Sequence, residues 1–328
     1  MLIAQYEKRG PVPQDVIQAV EVDPLKPDAG QALVAVLAAP VNPSDVLTLT
    51  GQYGMLPPLP AIGGAEGVGR VVALGSDTKG PAVGQTVLLP VGIGTWRTHL
   101  AVDAGRLIPL PDEADPQQLA MMTINPPTAS LLLSEFKALK PGDWVLQNAA
   151  NSGVGGYLTQ LAKINGYKTA NVVRRESAEA QVRESGADVV VTDGDDLGQR
   201  LTEATGGAKI MLGIDAVGGT ATDRLAECLG DGATLVNYGA MSGEACLVSP
   251  RTIIFRDLTI RGFWLARWFG QTSAAQQQAL YTRLTGLIVK GELKARIQAT
   301  YTVDQIKDAV AAAARGGRSG KILIVPQA

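Results

Sequence analysis

A strand, a glycine turn, a helix and a second strand follow one another within residues 141–176, and few folds accept that order. Trp144–Gln147 is a short run suited to a buried strand, and Ser152-Gly153-Val154-Gly155-Gly156 breaks it sharply. Apolar residues then recur at 154, 158, 161, 162 and 164, the spacing of a helix with one buried face, and Gly166 closes that helix. Lys168–Val173 supplies the second strand, about one βαβ length after the first. Such a turn puts backbone N–H groups at a helix N-terminus, where the dipole favours an anion, and its glycines let a pyrophosphate approach the main chain. The implied ligand is a dinucleotide. The motif is incomplete, because Leu158 stands where the third glycine of G-x-G-x-x-G falls.

The end of the second strand selects among dinucleotides. A fold that takes NAD usually places an acid there, roughly 20 residues past the first glycine, to hold the ribose 2′-hydroxyl. This chain has Arg174 followed by Arg175. Two guanidiniums suit a 2′-phosphate, and one charge-assisted contact of about 1.5–3 kcal/mol changes cofactor preference by about tenfold or more. The reading is NADPH. The competing reading is a pair of solvated surface arginines at a strand end.

With 328 residues the chain has room for two domains, each with its own core. Residues 1–123 are short alternating or apolar runs at 32–38, 67–74, 86–90 and 98–102, separated by Pro and Gly, which is the pattern of a β-rich domain. One helix interrupts them, with Asn42 as N-cap, Pro43 at its first position, Asp45 in its first turn and Gly51 at its end. From about residue 124 the pattern becomes βαβ, with further strands expected at 187–192, 210–217, 233–238 and 258–263. The expectation is an α/β protein, a doubly wound six-stranded parallel sheet over 124–292. It is joined to a β-rich domain made of 1–123 and 293–328, to which the terminal strand Lys321–Val325 returns without a βαβ partner nearby. The strand from Leu258 is expected at the sheet edge, where an apolar strand invites pairing with a second copy.

Composition narrows the chemistry. A net charge of −2 provides no global attraction to nucleic acid or to an acidic membrane surface, and no apolar run is long enough to span a bilayer. Residues 1–10 lack the apolar centre of a signal peptide, so a cytoplasmic location is expected. Cys228 and Cys246 imply no disulfide framework and read as buried small hydrophobes. A catalytic zinc site needs three protein ligands, yet the chain has one histidine, His99, read as a satisfied structural residue in a strand. No metal is expected. Hydride delivery without a Lewis acid requires an acceptor that absorbs the electrons itself, such as an enoyl thioester, an enone or a quinone. The protein then supplies a hydrogen-bond donor for the developing enolate and a proton for the α-carbon. Tyr53, just past the helix in Gly51-Gln52-Tyr53-Gly54, is the best placed donor, since a phenol is protonated at neutral pH. Its spacing equally suits a tyrosine that packs a Gly/Pro loop.

A β-rich part, then a dinucleotide-binding part, then a return resembles the medium-chain dehydrogenase/reductase superfamily. Where its zinc members carry Gly-His-Glu, this chain has Gly64-Ala65-Glu66. Asn42–Asp45, Gly51–Gly54, Leu59–Gly67, Gln147–Gly155, Asn171–Arg174 and Arg261–Leu265 together resemble the mitochondrial-type trans-2-enoyl thioester reductases. The resemblance implies a GroES-like catalytic domain, reduction of enoyl-CoA or enoyl-ACP with NADPH, and Tyr53 as the catalytic tyrosine. It places cofactor contacts on Asn125, on Asn151, Ser152, Gly153 and Val154, and on Arg174 and Arg175. It adds Tyr238, Gly239, Ala240 and Met241 at the nicotinamide side, then Phe263, Trp264 and Leu265, and finally Lys321. Glu176 departs from the pattern, because relatives using NADPH often carry a second basic residue there. The expected partners are an acyl thioester, on CoA or acyl carrier protein, and a second copy of the chain, with no nucleic acid and no membrane. Two other readings stay open, a zinc-free NADPH:quinone oxidoreductase and a cofactor-binding protein without turnover.

Overall fold

The computed structural model describes residues 1–326 and divides them into two compact units. One comprises Met1–Ile124 together with the stretch from Tyr281 onward, and the other is Asn125–Leu280. The second boundary falls inside the helix Ala274–Val289, twelve residues before the expected 292/293 division, because Tyr281, Leu284 and Ile288 on that helix are buried. The last two residues of the expected 293–328 segment lie outside the described residues.

The chain begins with strand β1 (Leu2–Tyr6), flanked by β2 (Ile17–Glu21) and, further along, by β4 (Ala61–Ile62) in an antiparallel three-stranded sheet. Between them runs β3 (Gln31–Pro40), the central strand of a larger sheet that takes in β5 (Val68–Leu74), β6 (Thr86–Leu88), β7 (His99–Asp103) and β8 (Ile108–Pro109). Val34, Val36, Val87, Trp96 and Leu100 point into its core. The helix Pro43–Thr50 follows β3 directly. Asp45 returns its carboxylate to the Asn42 N–H at 2.7 Å, and Gly51 ends the helix at φ 80°, a left-handed conformation that costs glycine little.

The second unit is one six-stranded sheet, all parallel. Its strands are β9 (Trp144–Gln147), β10 (Lys168–Val173), β11 (Val189–Thr192), β12 (Leu212–Asp215), β13 (Thr234–Asn237) and β14 (Thr259–Gly262), in the order β11-β10-β9-β12-β13-β14. Strand order reverses between β9 and β12, the doubly wound arrangement expected from the sequence. Leu146, Ala170, Leu201, Leu225 and Leu235 form its core on one face. β14 lies at the edge, with all four residues exposed.

The chain then returns to the first unit with β15 (Ile297–Tyr301), the helix Ile306–Ala314 and β16 (Lys321–Ile324). β16 pairs parallel with β15 and antiparallel with β3. The terminal strand therefore does have a βαβ partner, contrary to the reading of the sequence. β15 reads Ile297-Gln-Ala-Thr-Tyr301, with partly buried and exposed residues alternating, and it is its parallel pairing with β16 that no local pattern announces.

Candidate active site

The glycine turn of the second unit is built as its sequence requires. Ser152 caps the helix Gly153–Ile164, its Oγ accepting from the Gly155 N–H at 3.1 Å. A Cβ on Gly155 would lie 2.6 Å from the Ala150 carbonyl oxygen, so only glycine lets the helix sit this close to the end of β9. Beneath the turn, the buried Gln147 amide nitrogen reaches the Gly155 carbonyl at 3.1 Å, Thr159 Oγ1 at 3.0 Å and Asn171 Oδ1 at 2.7 Å. These contacts join β9, the helix and β10. Leu158, in the place of the third glycine, is fully buried, so the helix packs through a leucine where the motif has a glycine.

The ends of β12 and β13 are tied by Asp215. Its carboxylate accepts from Asn148 Nδ2 at 2.6 Å, Thr222 Oγ1 at 2.7 Å, Asn237 Nδ2 at 2.9 Å and the Val217 N–H at 2.9 Å. The loop Tyr238–Met241 follows β13, and the Tyr238 phenol lies close enough to Ser152 to be influenced by it, which brings this loop to the glycine turn. Burial pushes the Tyr238 phenol up. Arg174 and Arg175 are exposed at the end of β10, and no acid among the described residues forms an ion pair with either. Asn125 is buried at the start of the helix Asn125–Ser134, which packs against Gly153–Ile164. Phe263 meets Phe136 edge-on at 5.8 Å between ring centres, Trp264 is exposed, and Leu265 begins a short helix. The structure therefore brings Asn151, Ser152, Gly153 and Val154 together with Tyr238, Gly239, Ala240 and Met241. These residues fit a dinucleotide, with an anion at the helix N-terminus and a cationic pair one strand away.

Tyr53 and Lys321 belong to the first unit. Tyr53 is half-buried just past Gly51, its N–H donating to the Leu47 carbonyl at 3.2 Å. Lys321 is 6% exposed, and its Nζ donates to Asn42 Oδ1. Asn42 Nδ2 donates to Glu66 Oε1 at 2.7 Å, and Glu66 Oε2 accepts from the Thr123 N–H at 3.0 Å and Thr123 Oγ1 at 2.7 Å. Asp45 Oδ1 accepts from the Ala65 N–H at 3.0 Å. Sequence reasoning used Asn42 and Asp45 only as helix caps and missed this cluster, because its members lie far apart in the chain. Burial raises Asp45 to about 7 and also raises Glu66, while it lowers Lys321 to about 8; each charge of opposite sign works against the shift.

Two other expectations are corrected. Cys246 is exposed, on a loop without regular structure, whereas Cys228 is partly buried with its thiol pushed up to about 12 by burial. His99 is not fully satisfied: its Nδ1 is buried without a hydrogen-bond partner among the described residues, and burial lowers its pKa. No helix among the described residues is long and apolar enough to cross a membrane.

Residues 28–112 match the alcohol dehydrogenase GroES-like domain family, and residues 153–284 match the zinc-binding dehydrogenase family. The chain is 38% identical over 292 residues to the mitochondrial enoyl-[acyl-carrier-protein] reductase of Rattus norvegicus, covering 86% of this chain and 78% of that protein. Among solved structures, the complex of Etr1p with NADP and crotonyl-CoA is similar, with a TM-score of 0.84, 26% identity and 99% of both chains covered. A putative NADPH:quinone reductase from Bacillus thuringiensis is also similar, with a TM-score of 0.88, 28% identity and coverage of 99% of this chain and 98% of that one. The residues present do not fit the zinc ion that one family description implies. Ala65 offers no ligand, Glu66 is committed to Asn42 and Thr123, and no group of three or more His, Cys, Asp or Glu side chains that could hold an ion occurs among the described residues.

The buried cluster sets a pH-dependent expectation. Asp45 has a folded pKa of about 7 against about 3.9 in an unfolded chain, so its contribution to stability is full below about pH 3.9 and is lost as pH rises through about 7. Lys321→Met removes the cation that holds both carboxylates down, and at pH 7 it is expected to destabilise by about 3–5 kcal/mol. At pH 5 protonation of Asp45 relieves part of that loss. Thermal melts of both proteins at pH 5 and pH 7 measure this, and an equal loss at the two pH values would exclude the coupling.

Proposed function

The chain belongs to the medium-chain dehydrogenase/reductase family, alongside the mitochondrial enoyl-[acyl-carrier-protein] reductases, and on that premise we propose that it reduces the C2=C3 double bond of trans-2-enoyl thioesters with NADPH. It is an oxidoreductase that uses a nicotinamide cofactor. The observation that carries the finer reading is the pairing of a glycine turn capped by Ser152 at a helix N-terminus with a GroES-like domain in which Ala65 stands where zinc members carry histidine. Such a site offers no Lewis acid to a carbonyl, which favours an acceptor that delocalises charge itself, as a conjugated thioester does.

Each candidate then has a role. The helix N-terminus at Ser152, Gly153 and Val154 receives the pyrophosphate, with Asn151 beside it, and Arg174 and Arg175 receive the 2′-phosphate. Glu176, exposed beside them, adds a negative charge that the two arginines must outweigh. Asn125, Tyr238, Gly239, Ala240 and Met241 hold the nicotinamide side, and Phe263, Trp264 and Leu265 border it. Lys321 keeps two N–H donors beyond the one given to Asn42, and these remain for the cofactor. Bound NADPH supplies the hydride that goes to the β-carbon. Tyr53 donates to the thioester oxygen as charge develops there, or holds the proton source for the α-carbon. The substrate is carried on CoA or acyl carrier protein. Likeness to a putative NADPH:quinone reductase favours a second reading, in which a quinone is the acceptor. The edge strand β14, with Ile260 40% exposed and Ile254 and Phe255 nearby 68% and 78% exposed, suits pairing with β14 of a second copy into a homodimer.

NADPH oxidation with crotonyl-CoA, a longer trans-2-enoyl-CoA and a simple quinone, repeated with Tyr53→Phe, tests the main reading. Thioester turnover that falls about 100-fold or more in the variant is expected; turnover of quinone alone, indifferent to Tyr53, moves the protein to the second reading. Replacing Arg174 and Arg175 by Ala should raise KM for NADPH about tenfold or more and leave KM for NADH unchanged. Equal effects on both cofactors would remove the phosphate role. Light scattering should find a dimer that Ile260→Lys converts to monomer, and a monomeric parent protein would end the pairing proposal.

A further inference from the structure

Tyr53 sits on a loop with little structure of its own. After Gly51, the stretch Gly54–Pro60 is exposed and belongs to no helix or strand, and Met55, Leu56 and Leu59 are 56%, 42% and 37% exposed. Among the described residues one hydrogen bond reaches Gly54–Pro60: the Arg9 guanidinium donates through Nη2 to the Pro57 carbonyl.

Arg9 touches the other end of the loop as well. A Cβ on Gly51 would lie 3.3 Å from Arg9 Cδ, so the arginine stem lies against the glycine that ends the helix. The next residue, Gly10, donates its N–H to the Leu49 carbonyl at 3.2 Å, tying this turn to the last turn of the same helix. The guanidinium also lies close enough to the Tyr6 phenol to work against the burial that raises its pKa, and Tyr6 is 2% exposed on β1. Arg9 Nε is buried without a partner among the described residues. A freely solvated surface arginine makes no such set of contacts.

We propose that Arg9 is a positioning residue that brackets the Tyr53 loop between Gly51 and Pro57 and so fixes where the Tyr53 hydroxyl stands. The inference rests on the donor role proposed for Tyr53. Arg9 contributes nothing to the chemistry directly; it fixes a side chain whose placement to within about 1 Å is worth as much as about 100-fold in rate. Its anchor, Tyr6, is part of the core, so the loop takes its position from a strand and not from its own sequence.

Arg9→Met keeps the stem against Gly51 and removes the guanidinium N–H groups. Hydrogen exchange in this variant should quicken at the amides of Gln52 and Tyr53, both of which donate to the Leu47 carbonyl, while the rest of the chain exchanges as before. With enoyl-CoA, kcat should fall between about tenfold and 100-fold with KM for NADPH unchanged. In a Tyr53→Phe background the same substitution should cause no further loss of kcat, a coupling that a general structural role would not produce. Tyr6→Phe, which removes only the hydroxyl partner, should shift both readouts in the same direction by less, and it stands in if Arg9→Met does not fold. Unchanged exchange at Gln52 and Tyr53, or a kcat loss as large without the Tyr53 hydroxyl as with it, would overturn the proposal. If the parent protein turns over no enoyl thioester, the functional reading fails while the exchange measurement still decides whether Arg9 holds the loop.

Discussion

The first unit depends on an ammonium buried beside two carboxylates. Lys321, near the end of the chain, donates to Asn42, and Asn42 in turn holds Glu66. Glu66 holds Thr123, where the first passage through this unit ends, so one hydrogen-bonded chain closes a domain whose two pieces are separated by the whole second unit. Burying three ionisable groups is costly, and such a cluster is weak support for stability as such. What it supplies is specification. A hydrophobic replacement could fill the volume, but it could not say which strand end, helix start and loop must meet there.

The same cluster fixes the start of the helix that leads to Tyr53. Asp45 binds both the Asn42 N–H at the cap and the Ala65 N–H on the neighbouring loop, so Pro43–Thr50 is aimed before its first turn is complete. From there helical geometry carries the chain to Gly51, and the Arg9 contacts take over beyond it. In the second unit Gln147 and Asp215 play a comparable part, as uncharged or singly charged hubs under the ends of parallel strands. They hold the glycine turn open, with Ala149 in the left-handed region at φ 47°, a conformation that a residue with a Cβ adopts only where its surroundings impose it.

Local patterns were legible in the sequence, and partners distant in sequence were not. Strands β9 to β13 were readable because largely buried parallel strands are apolar runs separated by helices, whereas β14, exposed at all four residues, followed from its place in the βαβ order. The helix Pro43–Thr50 was readable down to both caps, since Asn, Pro, Asp and Gly each have a local reason for their place. The parallel pairing in the β15-helix-β16 crossover was missed because alternation marks a strand and does not name its partner. Cys246 was misread because a rule drawn from the average burial of cysteine says nothing of a surface loop. Of the site, the glycine turn and the arginine pair follow from spacing alone. Lys321 and Glu66 could not be paired by any periodicity, and Arg9 reads in sequence as one more charge in Glu7-Lys8-Arg9.

The metal-free character of the site is distributed over several positions. A histidine at position 65 would supply one ligand of the three that a catalytic zinc needs. Glu66 is already saturated by Asn42 and Thr123, and both cysteines lie in the other unit, one with its thiol pushed up to about 12. The Ala65 N–H has meanwhile become a structural donor to Asp45, so the segment that binds an ion in zinc members here supports the helix before Tyr53. On the proposed reading the acceptor brings its own electron sink, and what remains for the protein is to place one donor, Tyr53, accurately. That requirement gives the Asn42 cap and the Arg9 bracket a common purpose, since each fixes one end of the segment that carries the phenol.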